Sequence, residues 1–187
     1  MNIPNIVTLI RIAIIPLLVI VFYLPFESSG VAAAIIFLLA CSTDWLDGYL
    51  ARTLNQASRL GAFLDPVADK LIVVVALVLV VGEKGIPFLA VPAAVIIGRE
   101  IAISALREWM AEVGKRASVA VSIIGKVKTA MQMAALTLLL AYPPDSNSWL
   151  GIVGCSLLYL AAVLTLWSMV MYLKAAWPVL TFAQKEP

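Results

Sequence analysis

Histidine is absent from the 187 residues, and cysteine occurs only twice. Without histidine the chain has no phosphohistidine nucleophile and no imidazole to offer a metal. Cys41 and Cys155 both lie in apolar runs, where small thiols are ordinary packing residues, so no disulfide between them is expected. Charge is scarce as well: 13% of the residues are charged, the net charge is +2, and there is no long basic run. A surface that grips a nucleic-acid backbone needs clustered Lys and Arg, often interleaved with aromatics, so no nucleic-acid partner is expected. Internal repeats and low-complexity tracts are missing too.

What the chain does contain is apolar side chains, at 63% of its residues. Soluble domains sit nearer an even balance, so lipid is the expected solvent. A membrane-spanning helix needs about 20 mostly apolar residues, which leaves room for about six spans and little else. Apolar segments recur at about residues 4–24, 31–51, 60–82, 86–107, 118–141 and 149–177, divided by short polar or Gly/Pro breaks. The expected fold is therefore all-α: a six-helix polytopic bundle forming a single membrane-embedded domain over residues 1–187. The run after Arg11 has the length of a signal peptide, but no small-x-small cleavage pattern follows and further spans come at once. It reads as the first membrane helix, entered through a turn at Pro4.

Orientation follows from the positive residues, which are retained on the cytoplasmic side of span ends. Lys84 falls on one side; the other twelve Lys and Arg lie on the opposite side or on helix ends that face it. Both termini are thus expected in the cytoplasm. Trp45, Tyr49, Trp109, Tyr142, Trp149, Tyr172 and Trp177 fall near expected helix ends and read as anchors in the headgroup layer.

The stretch that carries chemistry is Asp44-Trp45-Leu46-Asp47-Gly48-Tyr49-Leu50-Ala51-Arg52, then eight residues, then Gly61, Asp65 and Asp69. Positions 44, 47, 48, 51 and 52 follow the i, i+3, i+4, i+7, i+8 pattern of one helix face. Gly61, Asp65 and Asp69 make a second stripe at i, i+4, i+8. A short link with Asn55 and Ser58 as turn and cap residues lets the two helices fold back, so that four carboxylates line one pocket. Gly48, Ala51 and Gly61 leave space there for a phosphate-bearing ligand.

The plainer reading, four solvated charges at helix ends, meets an energetic objection. An Asp at the centre of a span costs about 2.5–3.5 kcal/mol, and carboxylates on facing stripes also repel one another. Hard divalent cations answer both problems, and with oxygen donors alone on offer Mg²⁺ or Mn²⁺ fits best. Two such ions about 3.5–4 Å apart would clamp a diphosphate from both sides.

These residues bring the chain to a family. The pattern D-x-x-D-G-x-x-A-R, eight residues, G-x-x-x-D-x-x-x-D resembles the signature of the CDP-alcohol phosphatidyltransferases at all eight fixed positions. The likeness extends to Asn5–Arg11, Ala105–Arg116 and Gly125–Thr129, which look like members of that family from bacterial inner membranes. The resemblance implies that Asp44, Asp47, Asp65 and Asp69 bind two Mg²⁺ or Mn²⁺ ions and that Asp69 is also the general base. It further implies that Gly48, Arg52 and Ser58, with Thr8 and Arg11, hold the CDP-lipid. The donor would be CDP-diacylglycerol, the acceptor sn-glycerol 3-phosphate, the products phosphatidylglycerophosphate and CMP. A homodimer in the inner membrane, with its active site toward the cytoplasm, is a family-level expectation.

Acceptor choice turns on a second phosphate. Arg99, Lys126 and Lys128 interrupt otherwise apolar segments, and such residues normally face a cavity and a partner. The acceptor's phosphate would be that partner, with Arg107 as a further candidate. The plainer reading pairs Arg99 with neighbouring acids and lets the two lysines snorkel to the headgroups. Lys115 and Arg116 suit anionic lipid headgroups. Another acceptor (inositol phosphate, serine or phosphatidylglycerol) keeps the same chemistry, while a cation transporter would use the aspartates as an ion path.

Overall fold

A computed structural model describes residues 3–54, 59–82, 88–112, 123–142 and 148–182. Among them are six α-helices and no strand: α1 Ile3–Phe22, α2 Ser29–Leu54, α3 Arg59–Gly82, α4 Ala90–Glu112, α5 Ile123–Ala141 and α6 Trp149–Phe182. The helices follow the apolar segments in order. Three run past the apolar boundary: α2 to Leu54, α4 to Glu112 and α6 to Phe182. Backbone hydrogen bonding continues through polar residues that have good helix propensity, so hydropathy marks the apolar stretch and not the helix end. Pro4 sits in the first turn of α1, where its missing N–H costs nothing.

Length and composition suit a membrane crossing most clearly in α6, over Trp149–Lys174. Thr8–Phe22, Ser29–Thr43 and Val127–Ala141 are shorter apolar stretches.

The chain divides into two compact units. The first comprises Met1–Ile86 and Met133–Cys155. Within it α1 packs on both α2 and α3, and α2 also meets α3. Its core is made by Leu18 of α1, Ala33, Phe37 and Ala40 of α2, Ala68, Ile72, Ala76 and Leu77 of α3, and Leu136 and Leu140 of α5. The three-to-four-residue spacing of these positions is one helix face each. Ile35, Leu38 and Leu39, on the other side of α2, are exposed and equally apolar. A helix apolar all round, with small residues on its packed face, is built for a lipid surround.

Close approach in this unit depends on one glycine in particular. A Cβ on Gly30, at the start of α2, would lie 2.5 Å from the backbone carbonyl oxygen of Leu140. Any larger residue would push the two helices apart. Cys41 and Cys155 are both thiols, and the Cys41 thiol lies 3.6 Å from the Met133 sulfur.

The second unit comprises Pro87–Gln132 and Ser156–Pro187. Ala93, Ile96, Ile103 and Met110 mark the buried stripe of α4, and Leu158, Ala161, Ala162 and Thr165 that of α6. Phe88, before α4, has a φ of 75°, a left-handed backbone that side chains with a Cβ resist. The Tyr159 hydroxyl donates to its carbonyl oxygen at 3.1 Å and helps hold that turn.

Candidate active site and its basic companion cluster

The aspartates ride on α2 and α3 of the first unit. α2 is helical from Asp44 through Arg52, so the sequence spacing does set Asp44, Asp47, Gly48, Ala51 and Arg52 along one face of that helix. α3 is helical through Gly61, Asp65 and Asp69. Pro66, inside α3, removes the N–H that would bond the Ala62 carbonyl and leaves that oxygen without its helical donor. The side chains of Asp44, Asp47, Arg52, Asp65 and Lys126 lie outside those described, and Ser58 lies outside the described residues altogether.

Asp69 is the member of the quartet whose side chain is described, and it has a partner. Arg11 of α1 donates from Nη1 to Asp69 Oδ1 at 2.6 Å. Arg11 Nε also donates to Thr43 Oγ1 at 3.4 Å, and Thr43 directly precedes Asp44. One guanidinium thus joins α1 to α2 beside the first motif aspartate and to α3 at the last. Arg11 is 1% exposed and Asp69 42%. Thr8, one turn before Arg11, is fully buried. Both residues read from sequence as contacts for the CDP-lipid; in the fold both are buried on α1, the helix that packs against α2 and α3.

An oxygen-only donor set suits a hard divalent ion. The two helices that carry the four aspartates pack against each other, and Asp69, the one of the four whose side chain is described, lies beside a guanidinium. By residue type, the donor set is compatible with a hard divalent ion. Among the described residues no group of three or more His, Cys, Asp or Glu comes together, as expected when three of the four side chains are not among them.

The second unit holds a separate ionic cluster. Glu100 Oε1 accepts from Lys128 Nζ at 2.8 Å and from Arg99 Nη1 at 3.1 Å. Arg99 Nη2 reaches Ser168 Oγ at 3.4 Å, and its guanidinium lies 5.5 Å from the centre of the Tyr172 ring. Lys128 is 4% exposed, so it does not snorkel to a headgroup layer. Arg99 Nε and Thr165 Oγ1 are buried and have no hydrogen-bond partner among the described residues. Arg107 is exposed.

Sequence reasoning found Arg99 and Lys128 and, in its plainer reading, paired Arg99 with neighbouring acids, but it did not single out Glu100 as the carboxylate that joins the two cations, and it missed the Arg11–Asp69 pair. Signals for both were present. Thr8 and Arg11 are polar one turn apart on an apolar helix, and Thr165, Ser168 and Tyr172 repeat at i, i+3, i+7 on another. Polar stripes of that kind face protein.

Fold and site define a class: all-helical chains whose apolar helices enclose ionic groups. The model of the CDP-alcohol phosphatidyltransferase family matches residues 1–181, and the chain belongs to that family. A Pseudomonas fluorescens protein named CDP-diacylglycerol--glycerol-3-phosphate 3-phosphatidyltransferase is 55% identical over 188 residues, covering 100% of this chain and 96% of its own. Proteins of the same name from Salmonella choleraesuis and Shigella flexneri serotype 5b are 58% and 59% identical over 175 residues, 94% of each chain.

Proposed function

We propose that the chain transfers the phosphatidyl group of CDP-diacylglycerol to sn-glycerol 3-phosphate, releasing CMP and forming phosphatidylglycerophosphate. The observation that carries this reading is the complete eight-position aspartate motif on α2 and α3, in a chain more than half identical, along nearly its whole length, to relatives named for that reaction. Residues 1–187 would act as one catalytic domain with six spans in a bacterial inner membrane, both termini and the site toward the cytoplasm, as a homodimer.

Asp44, Asp47, Asp65 and Asp69 would hold two Mg²⁺ or Mn²⁺ ions. When bound, these supply positive charge for the diphosphate and for the departing nucleotide. Gly48, Arg52 and Ser58 would bind the cytidine diphosphate. Asp69 takes the proton of the acceptor's primary hydroxyl as that oxygen bonds to the lipid-linked phosphorus. The bond from that phosphorus to the bridging oxygen breaks, and CMP departs with the electron pair. Direct displacement needs no covalent enzyme intermediate.

Arg99, Lys126, Lys128 and Arg107 would meet the acceptor's phosphate. Two buried cations sharing one carboxylate keep a net positive charge, and the unpartnered Arg99 Nε and Thr165 hydroxyl are the kind of buried polar groups that a ligand or water satisfies. The test is purified enzyme supplied with CDP-diacylglycerol and, in turn, glycerol 3-phosphate, inositol phosphate, serine and phosphatidylglycerol, with CMP release as the readout. CMP formation that depends on glycerol 3-phosphate supports the assignment; release with another acceptor alone refutes it.

A further inference from the structure

Arg11 is the bulkiest fully buried side chain among the described residues. A guanidinium cannot shed its charge, so one buried in an apolar helix persists only where its donors are answered. Two of the answers bear on the aspartate motif: Asp69 Oδ1 at 2.6 Å on α3 and Thr43 Oγ1 at 3.4 Å on α2. The Thr43 hydroxyl spends its one proton on the Ala40 carbonyl at 2.7 Å, so toward Arg11 it can only accept. The direction of this small network is therefore set, from α1 outward to both aspartate-bearing helices.

We propose that Arg11 is a positioning residue, which orients the Asp69 carboxylate and pins the turn of α2 that leads into Asp44. The inference rests on the reading above that these aspartates bind divalent ions. A planar guanidinium with bonds to two helices fixes both the rotation of the carboxylate and the spacing of the helices that carry it. A carboxylate has about four acceptor sites, so a contact to Oδ1 does not exhaust Asp69. Groups that hydrogen-bond a ligating carboxylate orient it, and losing one typically costs 10- to 100-fold in metal affinity or activity. Lysine reproduces the charge but not the fork, and cannot serve Asp69 and Thr43 in the same way.

The experiment uses the full chain in detergent micelles and compares wild type with Arg11→Lys, Arg11→Met and Thr43→Val. Mn²⁺ binding is read from the loss of the free-ion electron paramagnetic resonance signal, kcat and KM from CMP release, and folding from circular dichroism. Arg11→Met is expected to weaken Mn²⁺ binding about 10- to 100-fold and to lower kcat, with KM for CDP-diacylglycerol changed less than about twofold. Arg11→Lys should recover part of the loss, and Thr43→Val, which keeps the charge pair, should lose only a few-fold. If Arg11→Met fails to fold, the lysine and Thr43 variants still carry the comparison.

Tighter Mn²⁺ binding in Arg11→Met would mean that the guanidinium merely competes for Asp69, and overturns the inference. So does a rise in KM for CDP-diacylglycerol at unchanged Mn²⁺ affinity, which would make Arg11 a ligand of the lipid diphosphate. Lowered stability with binding and kcat intact would reduce it to a packing role, also against the inference. Wild type that binds Mn²⁺ but releases no CMP with any acceptor defeats the functional reading alone, because the binding comparison still stands. No saturable Mn²⁺ binding by wild type overturns both.

Discussion

Replacing Glu100 by glutamine should destabilise the protein more than removing either cation it bridges. In the native chain one carboxylate oxygen lies 2.8 Å from Lys128 Nζ and 3.1 Å from Arg99 Nη1. The lysine is 4% exposed, the arginine 12% and the glutamate 27%. Breaking a buried pair by deleting one partner costs about 3–5 kcal/mol, because the other charge is left uncompensated in a medium it cannot leave. Partial exposure of Glu100, and the amide oxygen that glutamine still offers, reduce this to about 2–4 kcal/mol for Glu100→Gln. Lys128→Met should cost less, about 1–2 kcal/mol, since Glu100 keeps Arg99 and methionine fills a similar volume. In the double variant the isolated lysine is gone, so its cost should fall short of the sum by about 1–2 kcal/mol. The cycle is measured by unfolding in detergent micelles, followed by tryptophan fluorescence. Additivity within about 0.5 kcal/mol, or a larger loss for Lys128→Met than for Glu100→Gln, would refute the shared-carboxylate account.

The other expectations test separate parts of the site and fold. Asp69→Asn keeps the side-chain shape and an oxygen for Arg11 but removes that buried guanidinium's counter-charge and cannot take a proton, so it should fold with reduced stability, bind metal somewhat more weakly and lose nearly all turnover in the CMP assay. Exhaustive chelation should abolish CMP release, with recovery on adding Mg²⁺ or Mn²⁺; turnover that survives would sink the metal reading. Lys128→Met should raise KM for glycerol 3-phosphate about tenfold or more and leave KM for CDP-diacylglycerol unchanged, which steady-state kinetics with each substrate varied will show. Gly30→Ala places a methyl 2.5 Å from the Leu140 carbonyl oxygen, a backbone atom with little room to yield, and should cost about 1–3 kcal/mol in the same unfolding assay.

Periodicity and composition were enough to place six helices, because apolar runs of helical length broken by Gly, Pro and charge have few other solutions. Spacing alone placed Asp44 and Asp47 on one face of α2 and aligned Asp65 with Asp69 on α3, since side-chain direction along a helix is a local property. The eight fixed positions also carried the family, which matching over residues 1–181 bears out. Helix ends were legible only to within several residues, for hydropathy says where lipid is preferred and not where hydrogen bonding stops.

Which charge meets which was decided by the tertiary structure. Arg11 and Asp69 are 58 residues apart, and Lys128 and Glu100 are 28 apart. No helical repeat links such positions; they meet because separate helices pack. Arg11, offered as a contact for the lipid, also meets Asp69 and Thr43 because α1 lies against both α2 and α3. An acid beside Arg99 was legible as its partner, but that Lys128 shares the same Glu100 oxygen was not. Residue types and their spacing determined what this protein has to work with, while the packing of helices distant in sequence selected the partner of each buried charge, because an ion in an apolar interior must be answered by whatever the fold brings within reach.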